Sequence, residues 1–133
     1  MAEARTLVSG SGEGPALVLD EPLSFWGGLD PATGRVTDVH HPQAGAEVAG
    51  RVLVMPGGRG SSSSSSVLAE AIRAHTAPVA IALLQPDPIL ALGAIVAREL
   101  YGIAVPVVVV DEAPTSARLR VEASPEGARV EPS

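Results

Sequence analysis

The sequence predicts an α/β fold built from parallel strand–helix–strand units, with antiparallel strands added to them. Three observations carry that prediction. The runs 51–55, 79–84 and 105–110 are short, rich in branched aliphatics and apolar without alternation, as strands covered on both faces are. Two segments between them carry apolar residues at helical spacing. Clean alternation is confined to the tail, residues 117–123.

Length and composition narrow the function classes. A chain of 133 residues makes one domain with room for a core, and its three aromatics mean that core is aliphatic. Fourteen glycines and twelve prolines imply tight turns between short elements. No cysteine is present, so this chain offers no disulfide, no thiol nucleophile and no thiolate-held cluster, which fits a cytoplasmic setting. Net charge is −6, with nine arginines, no lysine and no basic patch, so nucleic acid is not an expected partner. Residues 1–5 lack a basic-then-apolar leader. The apolar stretch 79–110 is cut by Pro86, Asp87, Pro88, Arg98, Glu99 and Pro106, so no membrane span is expected.

In order, 5–9 and 15–19 read as two strands joined by a Gly/Ser turn. Phe25 and Trp26 follow, adjacent to each other and ahead of Gly27-Gly28. If that stretch is a strand, one ring leaves the core. It is then either a plain surface residue or part of a ligand cleft or subunit interface. Asp30-Pro31-Ala32-Thr33-Gly34 is a turn by composition, and 35–40 a returning strand. His40-His41-Pro42 has no further His or Cys at ligand spacing, so metal binding by this chain is not expected. Roles for Trp26, Asp38 and His41 stay open, a proton relay and a surface turn being equally compatible with the last two. A helix over 87–101 starts with Pro88 in its first turn, where proline is tolerated. Its apolar character on nearly every side predicts a sandwiched helix, in the core or against a partner. The tail reads as an edge hairpin turning at Ser124-Pro125-Glu126-Gly127 and ending loose.

The most informative stretch is Gly57-Gly58-Arg59-Gly60-Ser61 and the serines Ser62 to Ser66 behind it. A strand, 51–55, precedes it, and a helix with Val67, Leu68, Ala71 and Ile72 on one side follows. A serine run is compatible with a flexible linker. A linker joins self-sufficient units, however, and a lone buried strand is not one. On a strand-to-helix turn the same residues gather free N–H groups, hydroxyls and the positive end of a helix dipole. Glycines allow close approach to a ligand, and Arg59 adds a charge suited to a carboxylate or phosphate. An anion-binding turn is the preferred reading.

Phe25-Trp26-Gly27-Gly28-Leu29-Asp30-Pro31, His41-Pro42, Gly58-Arg59-Gly60-Ser61-Ser62 and Gly93-Ala94-Ile95-Val96-Ala97 occur in the order found in the small subunit of aconitase X-type dehydratases. The resemblance covers about residues 15–111. It implies a swivelling β/β/α domain like the mobile domain of aconitase, over 1–112, with 113–133 as the hairpin and tail. It also implies a partner, a cysteine-containing large subunit that holds an iron–sulfur cluster, and a small hydroxy-carboxylate substrate. By position, Ser61 takes the role of catalytic base. Arg59, Gly60, Ser62 and Ser63 are the implied substrate-binding residues. Members act on cis-3-hydroxy-L-proline or 5-phosphomevalonate, and the unbroken serine run looks more like the former. Residues 93–103 also resemble the phosphohistidine swivelling domain of phosphoenolpyruvate-utilising enzymes. There a histidine precedes the segment, whereas Ala91-Leu92 stands here, so that likeness supports the fold and not phosphoryl transfer. Two further classes remain in competition: a non-catalytic swivelling domain that binds an anion or docks on a partner, and a structural oligomer.

Overall fold

The computed structural model describes residues 2–59 and 61–133, and the chain forms the expected mixed α/β architecture. In order come β1 (Ala2–Val8), β2 (Gly10–Val18), the single turn α1 (Phe25–Gly28), β3 (Leu29–Asp30) and β4 (Arg35–Val36). Then follow β5 (Val52–Met55), α2 (Ser64–Arg73), β6 (Ala80–Leu83), α3 (Pro88–Tyr101), β7 (Val107–Val109), β8 (Arg118–Ser124) and β9 (Gly127–Pro132). Seven strands close a barrel in the order β1-β7-β6-β5-β2-β8-β9, and β3 pairs with β4 apart from it.

The non-alternating runs become strands β5, β6 and β7, parallel to one another, because both their faces are covered. Leu53, Met55, Ile81 and Leu83 point toward the helices and pack with Leu68, Ile72 and Leu90. Their neighbours Val52, Val54, Ala80 and Ala82 point into the barrel, against Leu119, Val121 and Val130 of the hairpin. Valine and alanine suffice to fill so narrow a barrel. On the outer layer, α2 and α3 touch closely at Gly93, where a Cβ would stand 2.6 Å from the Ser65 carbonyl oxygen.

Four local expectations change. The Gly/Ser stretch after Val8 is not a turn: it is the first half of β2, which pairs antiparallel with β8 through Pro15 and then parallel with β5 from Ala16. Its glycines serve close crossing, since a Cβ at Gly12 would lie 2.3 Å from the Val79 carbonyl oxygen, and one at Gly14 2.5 Å from that of Gly50. Phe25 and Trp26 stand on α1 rather than a strand; Trp26 (φ −74°, ψ 111°) and Gly27 (φ 81°) leave helical torsions. Phe25 is fully buried and Trp26 59% exposed, so one ring does leave the core. The returning strand stops at Val36, after which Asp38 organises a turn by accepting from the His40 N–H at 3.0 Å.

The tail differs most. The hairpin is present, but β8 pairs with β2 and β9 pairs with β1, so it closes the barrel and lies at no edge. Its end is tied down, the Ser133 N–H donating to the Arg118 carbonyl at 3.2 Å. Alternation was the correct signal for its strands; the pairing partners, more than a hundred residues away, left no local trace. Among the described residues no helix is long and apolar enough to cross a membrane.

Candidate functional site

Three loops leave the C-terminal ends of the parallel strands β2, β5 and β6, the end of an α/β sheet where ligands collect. They line one cleft of about 200 Å³. Leu23 and Phe25 come from the first loop, Gly57, Gly58, Arg59 and Ser61 from the second, and Pro86, Asp87 and Pro88 from the third. The first two loops are zipped together by a parallel bridge between Leu23 and Gly58.

The serine run is neither tether nor loop beyond its first residues. Ser61 Oγ accepts from the Ser63 N–H at 3.1 Å, and the Ser64 N–H donates to the Ser61 carbonyl at 3.0 Å, so the chain winds directly into α2. The N-cap is Ser63, whose hydroxyl makes no capping bond, and the first turn of α2 carries no acidic residue. The positive end of this helix therefore opens beside Ser61 without an internal anion to satisfy it.

At α3 the arrangement is the opposite. Asp87 is its N-cap, and Oδ1 accepts from the N–H groups of Ile89 at 2.9 Å and Leu90 at 3.2 Å. The other oxygen, Oδ2, stands over the main chain of Gly58, where a Cβ would come within 1.7 Å of it. Glycine at 58 is thus a steric requirement of the carboxylate across the cleft, not of an unusual φ.

Of the expected site residues, Ser61 and Arg59 do line the cleft. Arg59 is exposed and makes no ion pair among the described residues. Gly60 lies outside the described residues. Ser62 is exposed and Ser63 half-buried, and neither is among the lining residues; the Ser62 carbonyl accepts from the hydroxyl of Ser65. Two of the lining residues that were not anticipated have hydrogen-bonded side chains. Ser64 is buried and accepts the Trp26 N–H at 3.1 Å, which ties α1 to α2. Stepping the helical period back from Leu68 and Ala71 puts Ser64 on the buried face, a signal the repeated letter concealed. Asp87 was legible only as a helix start. That β5 and β6 are parallel neighbours places its loop beside Gly57, Gly58, Arg59 and Ser61 as well.

His41 is buried and structural in its bonding: Nε2 lies 3.1 Å from the Glu21 carbonyl, and Nδ1 accepts from the Gln43 N–H at 3.0 Å. The resolved acid–base shift lies away from the cleft, where a hydrogen bond from Arg73 holds the Glu70 carboxyl below its ordinary value on exposed α2 surface. An iron–sulfur cluster does not fit this chain's donors. It has no cysteine, and among the described residues no three His, Asp or Glu side chains gather as a metal set.

Comparison with known proteins follows the same line. A family profile described as the aconitase X swivel domain matches residues 1–128. A cis-3-hydroxy-L-proline dehydratase of Pseudomonas aeruginosa is 54% identical over 108 residues, 81% of this chain and 19% of that protein. The phosphomevalonate dehydratase small subunit of Methanothermobacter thermautotrophicus is 50% identical over 95 residues, 71% of this chain and 72% of that one. A chain of the crystal structure of Thermococcus kodakaraensis aconitase X, holo-form, superposes with TM-score 0.85 at 35% identity, over 98% of this chain and 97% of that one.

Proposed function

This chain belongs to the aconitase X swivel-domain family, and from that premise we propose that it is the small catalytic subunit of a hydro-lyase acting on a small hydroxy-carboxylate, with Ser61 as the base. The reaction removes a proton from the carbon next to the carboxylate and a hydroxyl from the carbon beyond it. Proton and hydroxide leave together as water, and a double bond remains.

The observation that carries this reading is the placement of Ser61. A serine hydroxyl is a poor base in water. Here its oxygen already accepts a main-chain N–H at 3.1 Å, at the uncapped mouth of α2 and in the cleft that Arg59 lines. Each of those features favours the alkoxide, and preorganised donors gain strength as water is excluded. Arg59 suits the substrate carboxylate, which it is able to hold through two parallel N–H bonds. Ser62 and Ser63 remain proposed substrate contacts through their positions at the start of α2, and Gly60 through its place in the sequence between Arg59 and Ser61.

The partner in this proposal is a cysteine-containing large subunit, which carries the iron–sulfur cluster that this chain's donors do not fit. Two features support a partner. This chain spans only 19% of the Pseudomonas dehydratase, and its relatives among the phosphomevalonate enzymes are named small subunits. In addition, α3 buries Leu90, Ala91, Ala94 and Ala97 on one side but leaves Leu92, Leu100 and Tyr101 exposed. The helix is therefore covered on one flank only, and its apolar outer flank adjoins Pro86 and Pro88 at the cleft edge.

cis-3-Hydroxy-L-proline is the substrate we assign first. 5-Phosphomevalonate is the second reading, supported by the relative at 50% identity. The test is co-expression with the large subunit and turnover of both compounds by wild type and Ser61→Ala. Loss of turnover in an intact complex is the expected result. Near-normal turnover by Ser61→Ala places the base elsewhere, and a chain that binds these acids alone, with no partner and no turnover, is a non-catalytic swivelling domain.

A further inference from the structure

We propose that Asp87 seats a cationic group of the substrate, so that the cleft takes a zwitterionic amino acid in preference to a doubly anionic acid. This assignment rests on the dehydratase reading of the same cleft and adds to it a second binding residue and a charge rule.

The case begins with what a helix cap requires. One acceptor oxygen is enough to cap α3, and serine, threonine or asparagine would supply it without charge. Asp87 spends Oδ1 on both available N–H groups and keeps Oδ2 with no donor among the described residues. Asp87 is half-buried, and that second oxygen borders the cleft. It lies over Gly58, inside the cleft wall, in space that exists only because residue 58 has no side chain. Cleft and cap thus share one carboxylate, each using a different oxygen.

Charges of both signs line the cleft. Arg59 and the open mouth of α2 supply the positive side, while Asp87 offsets the dipole of α3 and supplies a carboxylate. A substrate with a carboxylate alone satisfies only the positive groups. When a partner closes over the cleft, Oδ2 would lose water and gain no donor, which costs more for a charged acceptor than for a neutral one. A substrate ammonium on the carbon that bears the carboxylate supplies that donor. A phosphorylated acid brings a second anion that Asp87 repels. The ring nitrogen of 3-hydroxyproline is attached to the same carbon as its carboxylate, so one small substrate carries both charges that this lining answers.

The test uses the complex with its large subunit and two probes, cis-3-hydroxy-L-proline and its carbocyclic analogue cis-2-hydroxycyclopentane-1-carboxylate, in which a methylene replaces the ring ammonium, with 5-phosphomevalonate as a third, competing ligand. Affinities are measured by calorimetry for wild type, Asp87→Asn and Asp87→Ser, both of which keep a neutral cap on α3. Wild type is expected to favour the amino acid by about tenfold or more, the usual worth of a charge-assisted hydrogen bond. Both variants should lose that preference through weaker binding of the amino acid, with the analogue bound as well as before or better. A preference that survives in the variants, or tighter wild-type binding of 5-phosphomevalonate, overturns the assignment. A complex that turns over hydroxyproline through Ser61 without any preference sinks Asp87 and leaves the dehydratase standing; binding of neither probe, with 5-phosphomevalonate bound, does the same; and binding of none of the three sinks both.

Discussion

Gly58→Ala offers a measurement of the cleft wall that needs neither partner nor substrate. An alanine Cβ at 58 would sit 1.7 Å from Asp87 Oδ2 and 2.9 Å from its Cγ, while the nearest other atom, Leu90 Cδ1, is at an ordinary 3.5 Å. The backbone of Gly58 is not in the left-handed region, so the new methyl meets a single obstacle. The carboxylate must swing away, and α3 then loses the acceptor of its Ile89 and Leu90 N–H groups. A lost N-cap costs about 1 kcal/mol, within a range of about 0.5–2. Asp87→Ala removes the same cap directly and costs about the same. In the double variant the obstacle is gone, so the second substitution adds almost nothing. The predicted coupling is therefore about 1 kcal/mol, or roughly 4 °C in Tm for a domain of this size, well above the scatter of additive pairs. Urea and thermal unfolding of the four proteins, followed by circular dichroism, give the cycle. Additive losses would refute the reasoning, because Asp87 and Gly58 would then not share that space.

Two further predictions concern the frame. Gly93→Ala gains about 1 kcal/mol in helix propensity, yet its Cβ would press to 2.6 Å on the Ser65 carbonyl, a main-chain atom that cannot rotate aside. Overpacking of that kind costs about 1–3 kcal/mol, so a lower Tm is expected, and a raised Tm would show that α2 and α3 are not in close contact. Deleting residues 118–133 removes Leu119, Val121 and Val130 from the barrel, each buried to about 1% exposure or less. At about 1.5–3 kcal/mol per side chain, this loss rivals the whole stability of a small domain. The truncated chain should fail to unfold cooperatively in urea; a sharp, reversible transition would show the hairpin to be dispensable.

How much the sequence disclosed depends on how local each signal is. The parallel strands and both long helices were legible because burial on two faces, or on one helical stripe, writes itself into consecutive residues. Pro88 after Asp87 marked the start of α3, and Gly102 in the left-handed region ends it. The Gly/Ser stretch misled because its glycines answer to Val79 and Gly50, residues far along the chain, and not to a turn. The hairpin was seen but misplaced for the same reason. At the site, Ser61 and Arg59 stood out by their glycine setting. Ser64 was hidden among identical letters, and Asp87 took its second meaning only from the neighbour across the sheet.

Those last two residues show why the cleft carries both signs of charge. Helices α2 and α3 both begin at the same edge of the parallel strands, so their positive ends converge. Had both carried an acidic cap, the cleft would hold its own counterions and offer an incoming carboxylate little. Had neither, it would attract any anion without discrimination. Serines in the first turn of α2 leave its field unneutralised, because a hydroxyl shapes the turn without adding charge. Asp87 offsets the field of α3 and keeps one oxygen in the cleft. The presence of an open positive helix end and a carboxylate in one cleft therefore follows from a difference in capping chemistry between two otherwise equivalent strand–helix turns.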